Sequence, residues 1–188
     1  MNYFISTGEL SGDLHASYIV EKIKNLDKNA KVYAIGGMNL KKQDVEIVRD
    51  IDSLAIMGFV EVVKNFNFLK KVLEETVEFI LSNNIDRVVL VDYGGFNLKL
   101  LERLKLKKPS LKITYYIPPK VWIWGKKRVP KIAKADEILV IFPWEVDFYK
   151  KENVKALYFG NPFMEKYEKI TKKGDNILLL PGSRKQEI

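Results

Sequence analysis

The segment RVVLVDYGGFN, Arg87–Asn97, carries the pattern that decides the fold. Its four consecutive apolar residues, Val88–Val91, are mostly β-branched and do not alternate with polar ones, which indicates a strand buried on both faces. Such strands are typical of a parallel sheet that helices cover on both sides. The polar and glycine-rich residues from Asp92 onward predict a turn where this strand leaves the sheet.

Strands and helices alternate along the rest of the chain, because short β-branched or aromatic runs are each followed by turn residues and a longer amphipathic stretch. The predicted strands are Tyr3–Thr7, Lys31–Ile35, Arg87–Asp92, Ile113–Ile117, Ile138–Phe142, Ala156–Phe159 and Ile177–Leu180. The predicted helices lie near Gly12–Leu26, Phe66–Asn83, Asn97–Leu106, Lys126–Lys134 and Trp144–Lys151. This order predicts the α/β class, with a doubly wound, Rossmann-like parallel sheet.

A domain boundary is predicted near the end of the sequence. The stretch Glu165–Asn176 is polar and rich in lysine, and a new apolar run begins at Ile177. Ser183 and Gln186 then have the spacing of a capping box, which opens a helix. We therefore expect a domain over residues 1–164, a linker over 165–176, and at 177–188 the first strand and helix start of a truncated second domain.

Composition excludes several classes of protein. The 188 residues are 47% hydrophobic and contain no cysteine, which excludes a disordered chain, a disulfide-stapled module, and a cysteine metal site or nucleophile. No apolar run reaches the roughly 18 residues of a membrane span, and the N-terminus does not have the pattern of a signal peptide. We expect a cytoplasmic protein.

Positive charge is concentrated in one segment. Lys99–Lys134 contains twelve lysines and arginines and one acid, Glu102, a net +11 against +8 for the whole chain. Such a surplus suits an anionic partner, either nucleic acid, a phosphorylated small molecule or anionic lipid. The alternative is an ordinary solvated, lysine-rich surface.

The turn after the first strand, STGELSGD (Ser6–Asp13), is a candidate ligand site. Gly8 and Gly12 permit a tight turn, and the following helix directs backbone N–H groups toward a ligand. It matches neither phosphate-loop nor dinucleotide-binding glycine motifs, so an ATPase or dinucleotide site is not supported. In the alternative interpretation, Ser11 and Asp13 only cap the helix.

Asp92 is a candidate general base, because it follows a buried strand at the edge where open α/β sheets bind ligands. It could equally cap the next helix or accept backbone hydrogen bonds.

Two later stretches add candidate binding residues. In YYIPPKVWIWGKKR (Tyr115–Arg128), Trp122 and Trp124 lie two residues apart, and Arg128 follows on a basic helix. Aromatic surface beside cations suits a sugar, a nucleobase or a lipid phosphate, unless the tryptophans belong to a core loop. In PGSR (Pro181–Arg184), a helix N-terminus and an arginine would suit a diphosphate.

The most apolar region outside the strands is Ser53–Leu73, where Phe66, Leu69 and Leu73 have helical spacing between lysines. A helix of this kind can lie in a membrane interface, or can pack its apolar face on the sheet. His15 is the only histidine, and we interpret it as structural.

Eight motifs, in family order, resemble the lipid-A-disaccharide synthase family of two-Rossmann (GT-B) glycosyltransferases. The motifs are GELSGD (Gly8–Asp13), IGGMNL (Ile35–Leu40), IMGFVEV (Ile56–Val62), VDYGGFN (Val91–Asn97), YYIPPKVWIW with the following arginine (Tyr115–Arg128), IFPWEVDFY (Ile141–Tyr149), FGNP (Phe159–Pro162) and LLLPGSRKQEI (Leu178–Ile188). The sequence departs from the family at four positions, Gly94, Pro118, Trp144 and Asn161, where the family usually has Pro, Ser, Phe and His.

The resemblance implies an inverting transfer of diacylglucosamine from its UDP derivative to the 6-hydroxyl of diacylglucosamine 1-phosphate, giving the β-1,6 disaccharide of lipid A and UDP. It implies no cofactor and no bound metal. Asp92 is assigned as the base, with Glu9 and Asp13 as competitors. The expected substrate-binding residues are Gly8, Ser11, Gly12, Asn97, Trp122 and Arg128, and the expected UDP-binding residues are Gly182, Ser183 and Arg184. The expected membrane or acyl contacts are Met57, Phe59, Val60, Phe66 and Leu69.

The resemblance further implies a peripheral protein on the inner face of the cytoplasmic membrane, with no nucleic acid partner, and leaves a homodimer open. We expect little or no transfer from this chain alone, because most donor contacts in this architecture come from the second domain. The alternatives are another UDP-sugar enzyme of the same fold, or a basic module that binds membrane or nucleic acid.

Overall fold

A computed structural model describes residues 1–57, 62–123 and 125–166 of the chain. Its centre is a seven-stranded sheet in the order β3-β2-β1-β4-β5-β6-β7, and all its strand pairings are parallel. The strands are β1 (Asn2–Ser6), β2 (Lys31–Gly36), β3 (Glu46–Asp50), β4 (Arg87–Val91), β5 (Lys112–Tyr116), β6 (Glu137–Val140) and β7 (Leu157–Tyr158). The predicted doubly wound α/β fold is confirmed.

Helices connect the strands, because parallel neighbours need a crossover from one end of the sheet to the other. They are α1 (Leu10–Leu26), α2 (Met38–Lys41), α3 (Ile51–Met57), α4 (Val62–Ser82), α5 (Gly94–Lys107), α6 (Val129–Ile132), α7 (Pro143–Lys151) and α8 (Pro162–Lys166). A short 3₁₀ turn, Lys126–Arg128, precedes α6.

The sheet is buried on both faces because successive side chains of each inner strand enter different cores. Phe4 and Val88 belong to one hydrophobic cluster, together with residues of α4 and α5. Ile5 and Val89 belong to a second cluster, together with residues of α1. The continuous apolar run of β4 therefore supplies both layers, as its lack of alternation predicts.

The strand order reverses between β1 and β4. From β1 the sheet grows through β2 and β3 to one edge, and from β4 it grows through β5, β6 and β7 to the other. Open α/β sheets bind ligands in the crevice at the carboxyl ends of the two strands that flank this switch point. The turns Thr7–Glu9 and Asp92–Tyr93 lie there.

Most of the sequence-based elements agree with the structure. The predicted helix Lys126–Lys134 is instead a 3₁₀ turn followed by the short helix α6, and the first two residues of the predicted linker belong to α8. Strand β3 and helices α2, α3 and α8 were not predicted. The predicted strand Ile177–Leu180, most of the predicted linker and the start of the second domain lie outside the described residues.

Part of the apolar Ser53–Leu73 region packs on the sheet. Leu54, Val72 and Leu73 are buried in the cluster that also holds Phe4 and Val88. No helix in the described part of the chain is long and apolar enough to cross a bilayer.

The basic segment Lys99–Lys134 forms ion pairs with acids from elsewhere in the fold. Asp136 pairs with Lys105 at 2.6 Å, and Glu152 pairs with Lys126 at 2.6 Å. The local charge surplus is therefore smaller than the sequence count, although exposed pairs of this kind add little stability.

Candidate functional site

The turns that follow β1 and β4 touch at the switch point of the sheet. A Cβ built on Gly8 would lie 2.3 Å from Cγ of Tyr93, far inside van der Waals contact. Glycine at this position therefore lets the Tyr93 ring cover the β1–α1 turn. The contact brings the GELSGD and VDYGGFN motifs to one place.

The backbone at Asp92 is held in an uncommon conformation. Asp92 and Tyr93 have φ values of 48° and 47°, in the left-handed region that few non-glycine residues adopt. The Asp92 carbonyl accepts hydrogen bonds from Asn97 Nδ2 at 2.9 Å and from Tyr115 Oη at 3.1 Å. The Asp92 N–H donates to the carbonyl of Tyr116 at 3.1 Å. These bonds fix the direction in which the half-buried Asp92 side chain leaves the strand.

Asn97 joins the ends of β1 and β4. It is fully buried, and its Oδ1 accepts a hydrogen bond from Ser6 Oγ at 2.6 Å. Its Nδ2 lies 3.1 Å from the Ser6 carbonyl and 3.3 Å from the Val91 carbonyl, in addition to the bond with Asp92. The structure thus places this predicted substrate-binding residue beneath the turn, with its amide engaged by the protein.

Asp13 is fully buried and caps a neighbouring helix. Its Oδ1 accepts a hydrogen bond from the Gly37 N–H at 2.6 Å, and its Oδ2 accepts one from the Asn39 N–H at 2.8 Å. A Cβ on Gly36 or on Gly37 would lie 3.2 Å from one of these oxygens. A Cβ at these two glycines would come still closer to Leu40, at 2.3 Å, and to Ile51, at 2.8 Å, so IGGMNL needs glycine chiefly for packing at the start of α2.

Glu9 acts on Tyr93 through its negative charge. Burial raises the pKa of the Tyr93 hydroxyl, and the negative charge of Glu9 raises it further. Glu9 itself is exposed at the start of α1. Of the three predicted carboxylates, Asp92 precedes Tyr93 in the chain and Glu9 acts on it through its charge, whereas the Asp13 carboxylate accepts hydrogen bonds at the start of α2.

The first turn of α1 places the other two predicted residues of GELSGD differently. Ser11 is exposed, whereas Gly12 is buried against Thr7, whose Oγ1 would lie 2.2 Å from a Cβ on Gly12. The Thr7 hydroxyl is buried and has no hydrogen-bond partner among the described residues.

An aromatic cluster lies after β5 and β6. Trp122 Nε1 donates to the buried Glu145 Oε1 at 3.2 Å, and the Trp122 ring meets the Trp144 ring edge-on with centroids 4.4 Å apart. Glu145 Oε2 in turn accepts from the Phe142 N–H at 3.1 Å, at the start of α7. One acid therefore fixes both the loop and the helix start.

The charge of Arg128 affects the pKa of Tyr115, whose hydroxyl donates to the Asp92 carbonyl. Burial raises the pKa of Tyr115 well above its ordinary value, and the charge of Asp92 raises it further, whereas the charge of Arg128 lowers it. Arg128 is exposed beside Gly125, so its guanidinium is open to a ligand at this edge.

The remaining predicted contacts fall in several places. Leu69 on α4 lines a cavity between α4 and α5. Met57 and Phe66 belong to α3 and α4, and their side chains lie outside the described part, as do Phe59, Val60, Trp124, Gly182, Ser183 and Arg184.

The comparisons with known proteins identify the family. The family model for lipid-A-disaccharide synthetase matches residues 3–188. The chain belongs to this family.

Curated relatives agree with this assignment. A lipid-A-disaccharide synthase of Geobacter metallireducens is 34% identical over 98% of this chain and 51% of its own length. The relative from Persephonella marina is 35% identical over the same shares, and the one from Coxiella burnetii (strain Dugway 5J108-111) is 31% identical over 96% of this chain. The chain spans about half the length of the curated relatives that it matches.

Solved structures with low sequence identity share the fold. UDP-GlcNAc 2-epimerase from Neisseria meningitidis has a TM-score of 0.62 at 10% identity, over 86% of this chain and 46% of its own. MurG from Acinetobacter baumannii has a TM-score of 0.52 at 9% identity, over 86% of this chain and 45% of its own. These likenesses confirm the Rossmann-like architecture.

Sequence reasoning did not single out Tyr93, Tyr115 or Glu145 of this family member as parts of the site. Tyr93 adjoins Asp92, so its position at the turn was visible. The contacts of Tyr115 and Glu145 join segments 23 residues apart and follow only from the sheet order.

Proposed function

We propose that the chain forms the acceptor-side part of an inverting glycosyltransferase that makes the lipid A disaccharide. The reaction joins UDP-diacylglucosamine to diacylglucosamine 1-phosphate and releases UDP. Membership of the lipid-A-disaccharide synthetase family supports the reaction. The observation that supports the assignment to this site is the position of the half-buried Asp92 at the switch point, where Asn97 and Tyr115 donate hydrogen bonds to its main-chain carbonyl.

Asp92 is the base in this proposal. An inverting displacement needs a group that removes the proton of the acceptor 6-hydroxyl while the oxygen attacks the anomeric carbon. Asp13 is a poorer base because backbone N–H groups occupy both its oxygens and no part of it is exposed. Glu9 is exposed in the turn after β1, where it can contact the sugar hydroxyls of the acceptor.

The leaving diphosphate needs positive or dipolar groups that stabilise its charge as the bond breaks. We assign Gly182, Ser183 and Arg184 to this role, in a second domain that starts at residue 177 after a linker at 165–176. Gly8, Ser11, Gly12, Asn97, Trp122 and Arg128 form or support the acceptor side. Arg128 and the edge of Trp122 suit the sugar itself, because aromatic surface packs on a sugar ring and guanidinium N–H groups donate to its hydroxyl oxygens.

We also propose that the protein is cytoplasmic and works at the inner surface of the cytoplasmic membrane. Both substrates carry acyl chains, and the chain offers cations on α5 and the 3₁₀ turn that would attract anionic lipid. Met57, Phe59, Val60, Phe66 and Leu69 are the proposed apolar contacts.

The experiment is a chimera of residues 1–188 with the second half of the Geobacter metallireducens relative, which this chain matches over half its length. The purified chimera should release UDP and form disaccharide 1-phosphate, detected by mass spectrometry. Asp92→Asn should lower the turnover by roughly a hundredfold or more, the usual size of a general base contribution.

Asp147→Asn is the matched control, because Asp147 is an exposed acid on α7. Its turnover should equal that of the unmodified chimera. A folded chimera that makes no disaccharide, or an Asp92→Asn variant with full turnover, would contradict the proposal.

A further inference from the structure

A cavity of about 620 Å³ opens between α4, α5 and α6, which we call the α4–α5 cavity. Its apolar lining comes from Leu69 and Leu73 on α4 and from Phe96 on α5. Leu73 and Phe96 are buried in the main hydrophobic cluster, so this lining is part of the packed fold. The volume lies within the range of small-molecule sites, roughly 300–1,000 Å³.

The rim of the α4–α5 cavity is positively charged. Lys70, Lys99, Arg103 and Lys131 line it, with Glu102 as the one acid among the lining residues. Glu102 is bonded to Lys131 at 2.9 Å, and this bond lowers the pKa of the carboxyl, so that it stays ionised. The lining as a whole keeps a net positive charge around an apolar interior.

The cavity begins next to the proposed base. Tyr93 also lines it, and the Tyr93 ring stacks on Phe96 with centroids 5.6 Å apart and planes inclined by 26°. Asp92 directly precedes Tyr93. A ligand whose hydroxyl reached Asp92 could therefore extend an attached chain past Tyr93 into the cavity.

An apolar interior with a cationic rim suits an amphiphile with a hydrocarbon chain and an anionic head. We propose that the α4–α5 cavity binds an acyl chain of the acceptor sugar, with the acceptor's phosphate at the cationic rim. This inference rests on the proposed function and deepens it. We assign the cavity to the acceptor because the donor's diphosphate is assigned to the segment beyond residue 177.

Gly95 is a position from which a larger side chain can enter the cavity. It lies in the first turn of α5, lines the cavity, and a Cβ built on it would meet no atom within 4 Å. Gly95→Phe places a ring in the space proposed for the acyl chain. Leu106→Phe is the matched control, because Leu106 lies on the same helix, is 75% exposed and does not line the cavity.

The test measures binding to the purified 188-residue chain by calorimetry, below the micelle concentration of each ligand. The ligands are glucosamine 1-phosphate and its dibutanoyl, dihexanoyl and dioctanoyl derivatives. A buried methylene is worth about fourfold in affinity, so affinity should rise by about tenfold or more with each pair of methylenes. Gly95→Phe should lower the affinity for the dioctanoyl ligand by at least about tenfold. In this variant the affinity should also depend less on chain length. Leu106→Phe should bind like the unmodified chain.

Dihexanoyl phosphatidic acid separates the acceptor from a membrane lipid, because it has the same chains and a phosphate monoester but no sugar. It should bind at least about tenfold more weakly than the dihexanoyl sugar phosphate, because it lacks the sugar hydroxyls that would form hydrogen bonds with the site. Equal binding of the two would overturn the assignment to the acceptor. If the affinity did not rise with acyl-chain length, or if Gly95→Phe bound the dioctanoyl ligand as tightly as the unmodified chain, the cavity would not be the acyl site.

The chimera distinguishes this failure from failure of the proposed function. Gly95→Phe in the chimera should raise the KM for the dioctanoyl acceptor while the KM for the UDP-linked donor stays constant. Transfer with an unaltered acceptor KM would overturn the acyl site and leave the proposed function standing. Absence of transfer from the unmodified chimera would instead count against the proposed function.

Discussion

The side-chain amide of Asn97 donates a hydrogen bond of 2.9 Å to the main-chain carbonyl of Asp92. A residue on the first turns of α5 thus holds the end of β4, while the same side chain bonds Ser6 at the end of β1. The two strands that flank the switch point are fixed to each other by one buried amide. Because Tyr115 reaches the same carbonyl, three segments determine where Asp92 points.

Tyr115→Phe removes the hydroxyl that lies 3.1 Å from the Asp92 carbonyl and leaves the Asn97 bond in place. The loss of one buried hydrogen bond should lower the free energy of unfolding by about 1 kcal/mol. In the chimera we expect kcat to fall while the acceptor KM changes little, because Asp92 is displaced but the binding surface remains. Urea unfolding and steady-state kinetics measure both.

Tyr149→Phe is the matched control for this change. Tyr149 is also buried, but its hydroxyl has no hydrogen-bond partner among the described residues. Removing it should leave the protein equally stable or more stable, since an unsatisfied buried polar group costs about 1–3 kcal/mol. If Tyr115→Phe and Tyr149→Phe lowered the free energy of unfolding equally, the hydrogen bond from the Tyr115 hydroxyl would not stabilise the fold.

Asp13→Asn tests the capping role of the buried carboxylate. An amide can accept only one of the two backbone hydrogen bonds that Asp13 now accepts from Gly37 and Asn39. Bonds to a charged group are each worth about 1.5–3 kcal/mol, so the free energy of unfolding should fall by about that amount. Per folded molecule, the turnover of the chimera should be retained.

Asp52→Asn removes an exposed acid in the first turn of α3 and should leave stability nearly unchanged. If Asp13→Asn instead lost turnover while keeping its stability, the base role would pass from Asp92 to Asp13. The two measurements therefore separate a structural acid from a catalytic one.

The sheet could be predicted from the sequence because its inner strands are short, continuous apolar runs, a pattern typical of strands buried on both faces. Strand β3 escaped prediction because it lies at the edge of the sheet, where its residues Glu46–Asp50 are half-exposed and two of them are acidic. Helix α2 has only four residues and depends on Asp13, which lies far away in sequence. Asp92 was found at the strand end, but its orientation depends on contacts with Asn97 and Tyr115 that periodicity does not encode.

Gly8→Ala tests the contact between the two turns. Its methyl group would lie 2.3 Å from the Tyr93 ring, so the ring or the turn must move. Overpacking of this kind costs about 1–3 kcal/mol of stability. We expect a lower urea midpoint and a perturbed Tyr93 resonance in NMR spectra of the variant.

Gly95→Ala is the matched control, because its methyl group would meet nothing within 4 Å and alanine favours a helix. It should keep or raise the stability, by up to about 1 kcal/mol. A Gly8→Ala variant as stable as Gly95→Ala would contradict the close packing of Tyr93 on the β1–α1 turn.

His15 should make stability depend on pH. Its ring is buried among Tyr18, Tyr116 and Phe163, with the Phe163 centroid 5.1 Å away, and burial lowers its pKa from 6.5. The unfolded chain therefore binds a proton more readily than the folded one below about pH 6.5, and the free energy of unfolding falls as the pH falls through that window. The slope that His15 alone contributes cannot exceed about 1.4 kcal/mol per pH unit. Urea unfolding at about pH 7.5 and about pH 5.5 measures the change. The free energy of unfolding should be clearly lower at the lower pH in the unmodified chain and should fall less in His15→Leu. The remaining fall in the variant comes from carboxyl groups, which both proteins share. Parallel losses in the two proteins would mean that His15 takes up its proton as easily in the folded chain as in the unfolded one.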